Sequence, residues 1–262
     1  MNANILTIGD ELLIGNTINT NAAWIAQQLN LIGVDVKHHI TISDDRDDIV
    51  NCLDLYLKDV EVIVITGGLG PTNDDITKKV LCDYFGGKLI FNEEAYNNIE
   101  RIFNSRKRLI NEATKYVAYL PDNCTPIQNK NGTAAGMIFT KENKTIVSMP
   151  GVPYEMKAMV TDDFIPYLKT KYSFPTIIHK HILTVGIGES QIADNLVEFE
   201  QNLSKQIKLA YLPSIGKVKL RLTAKGENKH ELQSLINDAT EYIVDKVKDN
   251  LYGFDDDVFE EK

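Results

Sequence analysis

Apolar positions in the first part of the chain alternate between two kinds of run. Asn4 to Ile8, Val34 to Thr41 and Val62 to Ile65 are short and largely continuous, and the last is wholly β-branched. Such runs read as strands of a parallel sheet buried on both faces. Between them the period becomes helical. Ala22, Ile25, Ala26 and Leu29 share one face behind the capping residues Asn19-Thr-Asn21, and Gly33 ends that segment. Ser43-Asp-Asp-Arg-Asp-Asp48 opens a second helix through Ile49, Leu53 and Leu57, with acids where the helix dipole favours them. Asn73 or Asp74 caps a third through Val80 and Leu81, closed by Gly86-Gly87. This β-α-β-α-β-α alternation predicts an α/β domain with right-handed crossovers and helices on both faces of the sheet.

The pattern then loosens. Lys88 to Phe91 reads as a short strand, and Glu93 to about Tyr119 as helix broken near Asn111. Pro121 and Pro126 bracket a loop. Asn131-Gly-Thr-Ala-Ala-Gly136 forms a tight turn ahead of two strands, Met137 to Thr140 and Thr145 to Met149, joined by the hairpin turn Lys141-Glu-Asn-Lys144. Pro150-Gly-Val-Pro153 opens a helix from Tyr154 through Met159, with Glu155 in its first turn. Lys169 to Pro175 reads as a linker. Beyond it, Ile177 to Val185 alternates as a strand, and Gly186-Ile-Gly-Glu-Ser190 starts a helix through Ile192, Leu196 and Phe199. Ile207 to Leu212 and Lys217 to Thr223 are strands around Pro213-Ser-Ile-Gly216, and Glu231 to Val247 is an amphipathic helix. This β-α-β-β-α set is near the minimum size for independent folding. The expected domains are residues 1–170 and 176–252. Residues 253–262 are an acidic tail with few apolar anchors, expected to be mobile or to belong to a truncated linker.

Composition narrows the function. No apolar run approaches the ~20 residues that span a bilayer, and Met1-Asn-Ala-Asn carries no basic region of a signal peptide. Cys52, Cys82 and Cys124 are odd in number and widely spaced, which argues against a disulfide framework or zinc site and fits a reducing cytoplasm. A formal charge of −9 disfavours non-specific binding to nucleic acid or anionic membrane. The basic cluster Arg101, Arg106, Lys107, Arg108 reads as a solvated helix face or a contact for an anionic substrate. His179 and His181 alternate on one strand without an evident third ligand, so they read as exposed strand residues rather than a metal pair.

Chemistry concentrates where strands end. After Val62 to Ile65 come Gly67, Gly68 and Gly70, then Pro71 and the start of a helix. A strand, glycine turn and helix N-terminus in succession grip anions through free N–H groups and the dipole. The stretch is neither the Gly-x-Gly-x-x-Gly fingerprint nor a P-loop. It also carries Asp74 and Asp75, which repel a bare phosphate. They make sense with a cation between them and the phosphate, or with one as a general base; helix capping is the plain alternative. Sites in parallel sheets lie at the C-terminal strand ends. The topology therefore brings three acidic turns to one edge, Asp10/Glu11, Asp44/Asp45 and Asp74/Asp75. That convergence favours a shared metal or acid/base site.

Thr66-Gly-Gly-Leu-Gly-Pro-Thr-Asn-Asp-Asp-Ile-Thr77, Gly9-Asp-Glu-Leu-Leu-Ile-Gly15, Asn131-Gly-Thr-Ala-Ala-Gly136 and Met149-Pro-Gly-Val-Pro-Tyr-Glu-Met156 together resemble the CinA (competence/damage-inducible protein A) family. The resemblance covers the whole chain. Residues 1 to about 170 resemble its molybdopterin-binding, MoaB/Mog-like domain. Gly186-Ile-Gly-Glu-Ser190 with Leu212-Pro-Ser-Ile-Gly216 resembles its small middle domain. Ala135 departs from the proline the family often has, which alters turn stiffness. The resemblance implies a three-layer α/β/α domain with a mostly parallel sheet, then a small α+β domain. It implies hydrolysis of ADP-ribose with a divalent metal. Oxygen ligands favour Mg²⁺, Mn²⁺ or Co²⁺. On this reading Asp75 is metal ligand or base, with Asp74, Asp44 and Glu11 in support and Asp44 and Asp10 as further metal ligands. Gly67, Gly68, Gly70, Thr72, Asn131, Gly132, Pro150, Gly151 and Glu155 hold phosphate or nucleotide. The other readings are a molybdopterin-binding or adenylylating protein of cofactor biosynthesis, and a non-catalytic nucleotide sensor. The family also implies a homodimer, while the cysteines, charge and hydropathy above point to the cytoplasm and against a nucleic-acid or membrane partner. Longer relatives carry a nicotinamide mononucleotide deamidase domain after the middle domain. None of residues 1–262 replaces its nucleophile and base, so no ammonia release is expected from this chain.

Overall fold

The run at Val62 becomes β3 (Val62–Thr66), buried at every position. It lies inside a six-stranded sheet of the order β2-β1-β3-β8-β7-β6. The other strands are β1 (Asn2–Ile8), β2 (Asp35–Ile42), β6 (Thr125–Ile127), β7 (Gly136–Lys141) and β8 (Lys144–Met149). The pairs β1/β2, β1/β3 and β3/β8 are parallel, whereas β7 runs against both β8 and β6. The computed structural model describes residues 1–72, 74–255 and 257, in two compact units, residues 1–30 with 34–174 and residues 31–33 with 175–262. Asn73, considered above as a helix cap, and Asp256 and 258–262 of the acidic tail lie outside the described residues.

Successive strand side chains point to opposite faces, and here both faces are dry. Ile63 and Ile65 join Leu6, Ile8, Met137 and Phe139 in one cluster. To it α3 (Arg46–Tyr56) adds Ile49 and Leu53, α4 (Thr77–Tyr84) adds Val80 and Leu81, and α5 (Glu93–Ser105) adds Ile99. Ala3, Ile5, Val62 and Val64, of the other parity, are equally buried. Also buried, and outside that cluster, are Ala22, Ile25 and Leu29 of α2 (Thr20–Leu31), Met156 and Met159 of α7 (Pro153–Met159), and Leu168 of α8 (Ile165–Lys171). A side chain such as Ile65 contributes roughly 1.5–3 kcal/mol by leaving water. The result is a three-layer α/β domain with a mostly parallel sheet.

Several local expectations change. The acidic turn after β1 winds into a four-residue helix, α1 (Asp10–Leu13). The excursion after β4 (Leu89–Phe91) breaks near Asn111 as expected, into α5 and α6 (Glu112–Tyr116), each capped by an asparagine side chain, Asn92 and Asn111. Pro121 and Pro126 do bracket a turn, residues 122–124, but each is itself part of a strand. They lie in β5 (Tyr119–Pro121), which pairs only with β4, and in β6, where an edge strand tolerates a residue without an N–H. Lys169 to Lys171 are helical, so the expected linker starts later. Arg101 is no free solvated cation: its guanidinium donates to Asn98 Oδ1 and the Lys130 carbonyl, both at 2.7 Å.

The second unit is an antiparallel sheet, β10-β11-β9-β12, under two helices. Its elements are β9 (Thr176–Val185), α9 (Glu189–Gln201), β10 (Ile207–Ser214), β11 (Lys217–Gly226), α10 (Lys229–Val247) and β12 (Leu251–Phe254). Ile192 and Leu196 of α9 meet Leu232, Ile236 and Ile243 of α10 over Leu220 and Leu222 of β11. The last strand corrects the expectation that mobility begins beyond Tyr252. Leu251 and Phe254 pack against this cluster, and Gly253 and Phe254 pair with Leu183 and Ile182. The Asp255 carboxylate accepts from the His181 N–H at 3.0 Å and from Lys180. Two apolar anchors and one paired acid outweigh the local excess of charge. His179 and His181 are half-buried rather than exposed, and His179 Nδ1 lies 2.9 Å from Thr223 Oγ1.

Candidate active site

Strand register decides which loops meet. Thr7 is level with Thr41 and with Thr66, and Thr66 with Met149, so β2, β1, β3 and β8 end together. The turn ahead of β7 reaches the same edge, because Met137 pairs with Ser148. These loops enclose a cavity of about 390 Å³. Of the residues singled out above, Glu11, Asp44, Gly67, Gly68, Gly70, Asp74, Asp75, Pro150, Gly151 and Glu155 line it. Asp10, Thr72, Asn131 and Gly132 do not; Asp10, Thr72 and Gly132 touch residues that do, and Asn131 donates its N–H to Asn129 behind them.

The acid pairs divide their work. Asp45 caps α3, its Oδ1 accepting from the N–H groups of Asp47 and Asp48, while Asp44 lines the cavity. The Asp44 carboxyl is held above the ordinary carboxylate range. Burial is the main cause, and the like charges of Asp10, Glu11 and Asp74 add to it, against a hydrogen bond from the Asp10 N–H at 3.3 Å. Asp75 Oδ2 accepts both the N–H of Thr72, at 2.9 Å, and its hydroxyl. The same threonine side chain holds the exposed Asp74 below the usual range. Neither Asp74 nor Asp75 caps α4, which starts at Thr77 behind Ile76 without a side-chain cap.

The glycine turn is as tight as its composition requires. Gly67 sits at φ +114°, and a Cβ there would overlap the Ile8 carbonyl oxygen of the neighbouring strand. Past it, the N–H groups of Gly68, Leu69 and Gly70 have no hydrogen-bond acceptor among the described residues. A run of unpaired amides at a cavity wall is an anion site in waiting. Across the cavity, Asn129 Nδ2 donates to Glu155 Oε2 at 2.7 Å. A smaller pocket of about 120 Å³ adjoins, sharing Ile8, Glu11 and Gly151 with the main cavity. There Asn21 Nδ2 donates to the Gly151 carbonyl at 2.7 Å, and Asn19 Nδ2 to Thr7 Oγ1 at 2.9 Å.

Five carboxylates and, among the described residues, no cationic side chain line the cavity. That donor set fits a hard divalent cation, and the crowding that raises the Asp44 pKa is what a cation would relieve. No three metal-ligating side chains close into a cage of their own among the described residues. An ion held by one or two of these carboxylates, with phosphate oxygens and water completing its shell, matches the habit of Mg²⁺.

Three side chains escaped the sequence reading. Asn129 is 1% exposed and ties the turn before β7 to Glu155. Thr77 is fully buried beside Gly68, its hydroxyl unpartnered among the described residues. Lys78, buried, donates to the Tyr116 carbonyl at 2.8 Å, and burial pulls its pKa down to about 8 against the attraction of Asp75. An isolated polar residue in a loop or on an apolar helix face gives no periodic signal, so only Asn129, two residues from the Asn131-Gly132 turn, was within reach of a motif argument. The cysteines stay inert: burial pushes Cys52 up to about 11 and Cys124 to about 12.

Residues 4–170 match the family model of the probable molybdopterin binding domain, and residues 179–253 that of the damage-inducible protein CinA KH domain. A CinA-like protein of Flavobacterium psychrophilum is 46% identical over 258 residues, 98% of this chain and 62% of that protein. A CinA-like protein of Cytophaga hutchinsonii is 40% identical over 258 residues, with the same shares of 98% and 62%. The chain thus spans a little under two thirds of the length of these curated relatives. The crystal structure of the protein CinA with unknown function from Thermoplasma acidophilum superposes with a TM-score of 0.57 at 33% identity, covering 65% of this chain and 98% of that one. No helix among the described residues is long and apolar enough to cross a membrane.

Proposed function

The chain belongs to the CinA family, a molybdopterin-binding domain followed by a CinA KH domain, and from that premise we propose that its first unit is a divalent-metal-dependent pyrophosphatase acting on ADP-ribose. The observation that carries the reading is the cavity wall, where five carboxylates face the unpaired amides of Gly68, Leu69 and Gly70. Amides alone suit a phosphate and carboxylates alone suit a cation. Together they suit a diphosphate that arrives with its metal. Asp75, braced by Thr72, and Asp44 hold the cation, with Mg²⁺, Mn²⁺ or Co²⁺ as candidates, Asp74 and Glu11 in support, and Asp10 supplying its N–H to Asp44. The bound cation would neutralise phosphate charge and acidify a coordinated water. Gly67, Gly68 and Gly70 give the phosphates backbone access, and Pro150 and Gly151 line the cavity beside Gly67. The enzyme works as a homodimer in the cytoplasm, without nucleic acid or membrane as partner. Asp75→Asn is the test: turnover of ADP-ribose with a divalent metal should fall by two orders of magnitude or more, on the order of a lost charge-stabilising group. Turnover like the wild type's would sink the assignment.

A second reading has its own support in the family description, a probable molybdopterin binding domain. On it the same amides bind a pterin phosphate, and the chain binds or adenylylates that cofactor precursor. Calorimetry with molybdopterin beside ADP-ribose separates the two. Tight pterin binding without pyrophosphate cleavage favours the second, and saturable ADP-ribose binding without a product favours a nucleotide sensor.

A further inference from the structure

Glu155 is out of place as a phosphate ligand. It lines the cavity, is only 9% exposed, and would repel the anion it was expected to hold. Its surroundings are built to fix it. Oε2 accepts from Asn129 Nδ2 at 2.7 Å. Asn129 is itself saturated: its second N–H reaches the Ala134 carbonyl at 3.0 Å, and its Oδ1 accepts from the N–H groups of Asn131 at 3.1 Å and Gly132 at 2.8 Å. Turning the amide over would set its oxygen against a carbonyl and a carboxylate, so the contacts dictate its orientation. Gly132 closes the site from behind, since a Cβ there would overlap the Glu155 carboxyl group. Asn98 then bonds the carbonyls of Asn129 and Gly132 at 2.7 and 3.0 Å, anchoring the turn to α5. The carboxylate cannot swing away, and it has no cationic partner among the described residues. One oxygen is held, and the other has no hydrogen bond among them.

A carboxylate clamped at one oxygen and open at the other is the arrangement a general base needs. Resting on the proposed pyrophosphatase reading, we infer that Glu155 is the base and Asn129 its positioning residue. A water oxygen forms a bond to one phosphorus of the substrate, and Glu155 takes the water's proton. The bond from that phosphorus to the bridging oxygen breaks, its electron pair leaving with the departing phosphate.

The test compares pH–rate profiles of the wild-type chain, Glu155→Gln and Asn129→Asp with ADP-ribose and Mg²⁺. Glutamine keeps the shape of Glu155 and still accepts from Asn129, but takes no proton. It should lower kcat by roughly 10²- to 10⁴-fold, leave KM within about threefold, and flatten the acid limb. Asn129→Asp sets a second carboxylate against Glu155 and should move the acid limb to higher pH, which a mere loss of packing does not do. Melting curves establish that each variant is folded, and binding of an α,β-methylene analogue gives a readout without turnover. Should Asn129→Asp fail to fold, Glu155→Gln decides alone. A folded Glu155→Gln with wild-type kcat, or one that binds the analogue more than about tenfold less tightly, overturns the inference. So does a folded Asn129→Asp with an unmoved limb. A wild-type chain that cleaves no pyrophosphate overturns the proposed function as well, whereas an active wild type beside an active Glu155→Gln overturns this inference alone.

Discussion

Substituting Gly67 by alanine tests the frame of the cavity without touching a charged group. Gly67 is the first residue past β3, at φ +114°, and its N–H donates to the Met149 carbonyl at 3.1 Å. An alanine there carries two penalties. The backbone conformation, outside the regions open to L-residues, costs on the order of 1–3 kcal/mol. The new Cβ also overlaps the Ile8 carbonyl oxygen, which is strand backbone and not a side-chain tip that can turn aside. Relief requires β3 and β1 to part at their ends, which endangers the hydrogen bond to Met149, about another 1 kcal/mol. The expected cost is therefore roughly 2–4 kcal/mol, on the order of 10 °C in Tm for a unit of this size. Gly86→Ala is the control. Gly86 has φ +71° with nothing within 4 Å of where an alanine methyl would sit, so only backbone strain of about 1–2 kcal/mol applies. Thermal and urea unfolding of both variants measure the difference. Equal stability of Gly67→Ala and Gly86→Ala would refute the claim that the turn is pinned against β1.

Other outcomes follow from single groups. Lys78 has a folded-state pKa of about 8 against an ordinary lysine value of 10.5. The unfolded chain binds its proton more tightly, so the wild type should gain stability by roughly 1.4 kcal/mol for each pH unit between 8 and 10.5; Lys78→Met should lose that slope in urea titrations across the window. Asp44 has the opposite sign, being an acid whose folded pKa is raised above 3.8. Its charge weakens the fold once pH exceeds that value, so Asp44→Asn should match or slightly exceed wild-type stability at pH 7 while losing activity. The stability gap should close near pH 3, and melting curves at both pH values decide it. Removal of divalent metal with a chelator should weaken ADP-ribose binding by about 100-fold, because the uncompensated carboxylates then oppose the diphosphate. Calorimetry with unchanged affinity would contradict the electrostatic reading of the cavity.

How far the sequence reached depends on the kind of signal. The buried β-branched run at Val62, the helical spacing of Ala22, Ile25 and Leu29, and the glycine turns each state one local preference many times over. The parallel sheet and the edge where its strands end followed from those repeated signals. Signals carried by one or two residues were lost. Leu251 and Phe254 are enough to hold β12 against β9, yet among acids they did not outweigh composition. Prolines at 121 and 126 argue against a central strand, and they sit in strands that are not central. Within the candidate site, the convergence of Glu11, Asp44, Asp74 and Asp75 came from topology alone. The separation of Asp44 from Asp45 did not, because one residue of helical register decides which carboxylate caps α3 and which meets the cavity. Asn129 was beyond any periodic pattern: its weight lies in four hydrogen bonds to groups up to 26 residues away.

On the proposed function, an acidic chain with an acidic cavity hosts an anion, and the arrangement of the wall accounts for both. Attraction for phosphate resides in backbone amides, which carry no net charge and sit on a turn too tight for side chains. The carboxylates stand around it without cationic partners among the described residues. A lysine or arginine in the wall would bind diphosphate unaided and would quench the field that draws a metal. Its absence from the described wall makes the two ligands depend on each other: the cation needs phosphate oxygens to complete its shell, and the diphosphate needs the cation to pass the carboxylates. On the proposed function, this dependence places the metal against the scissile diphosphate rather than at a separate structural site. It also leaves Glu155, clamped by Asn129, as a carboxylate free to meet a water.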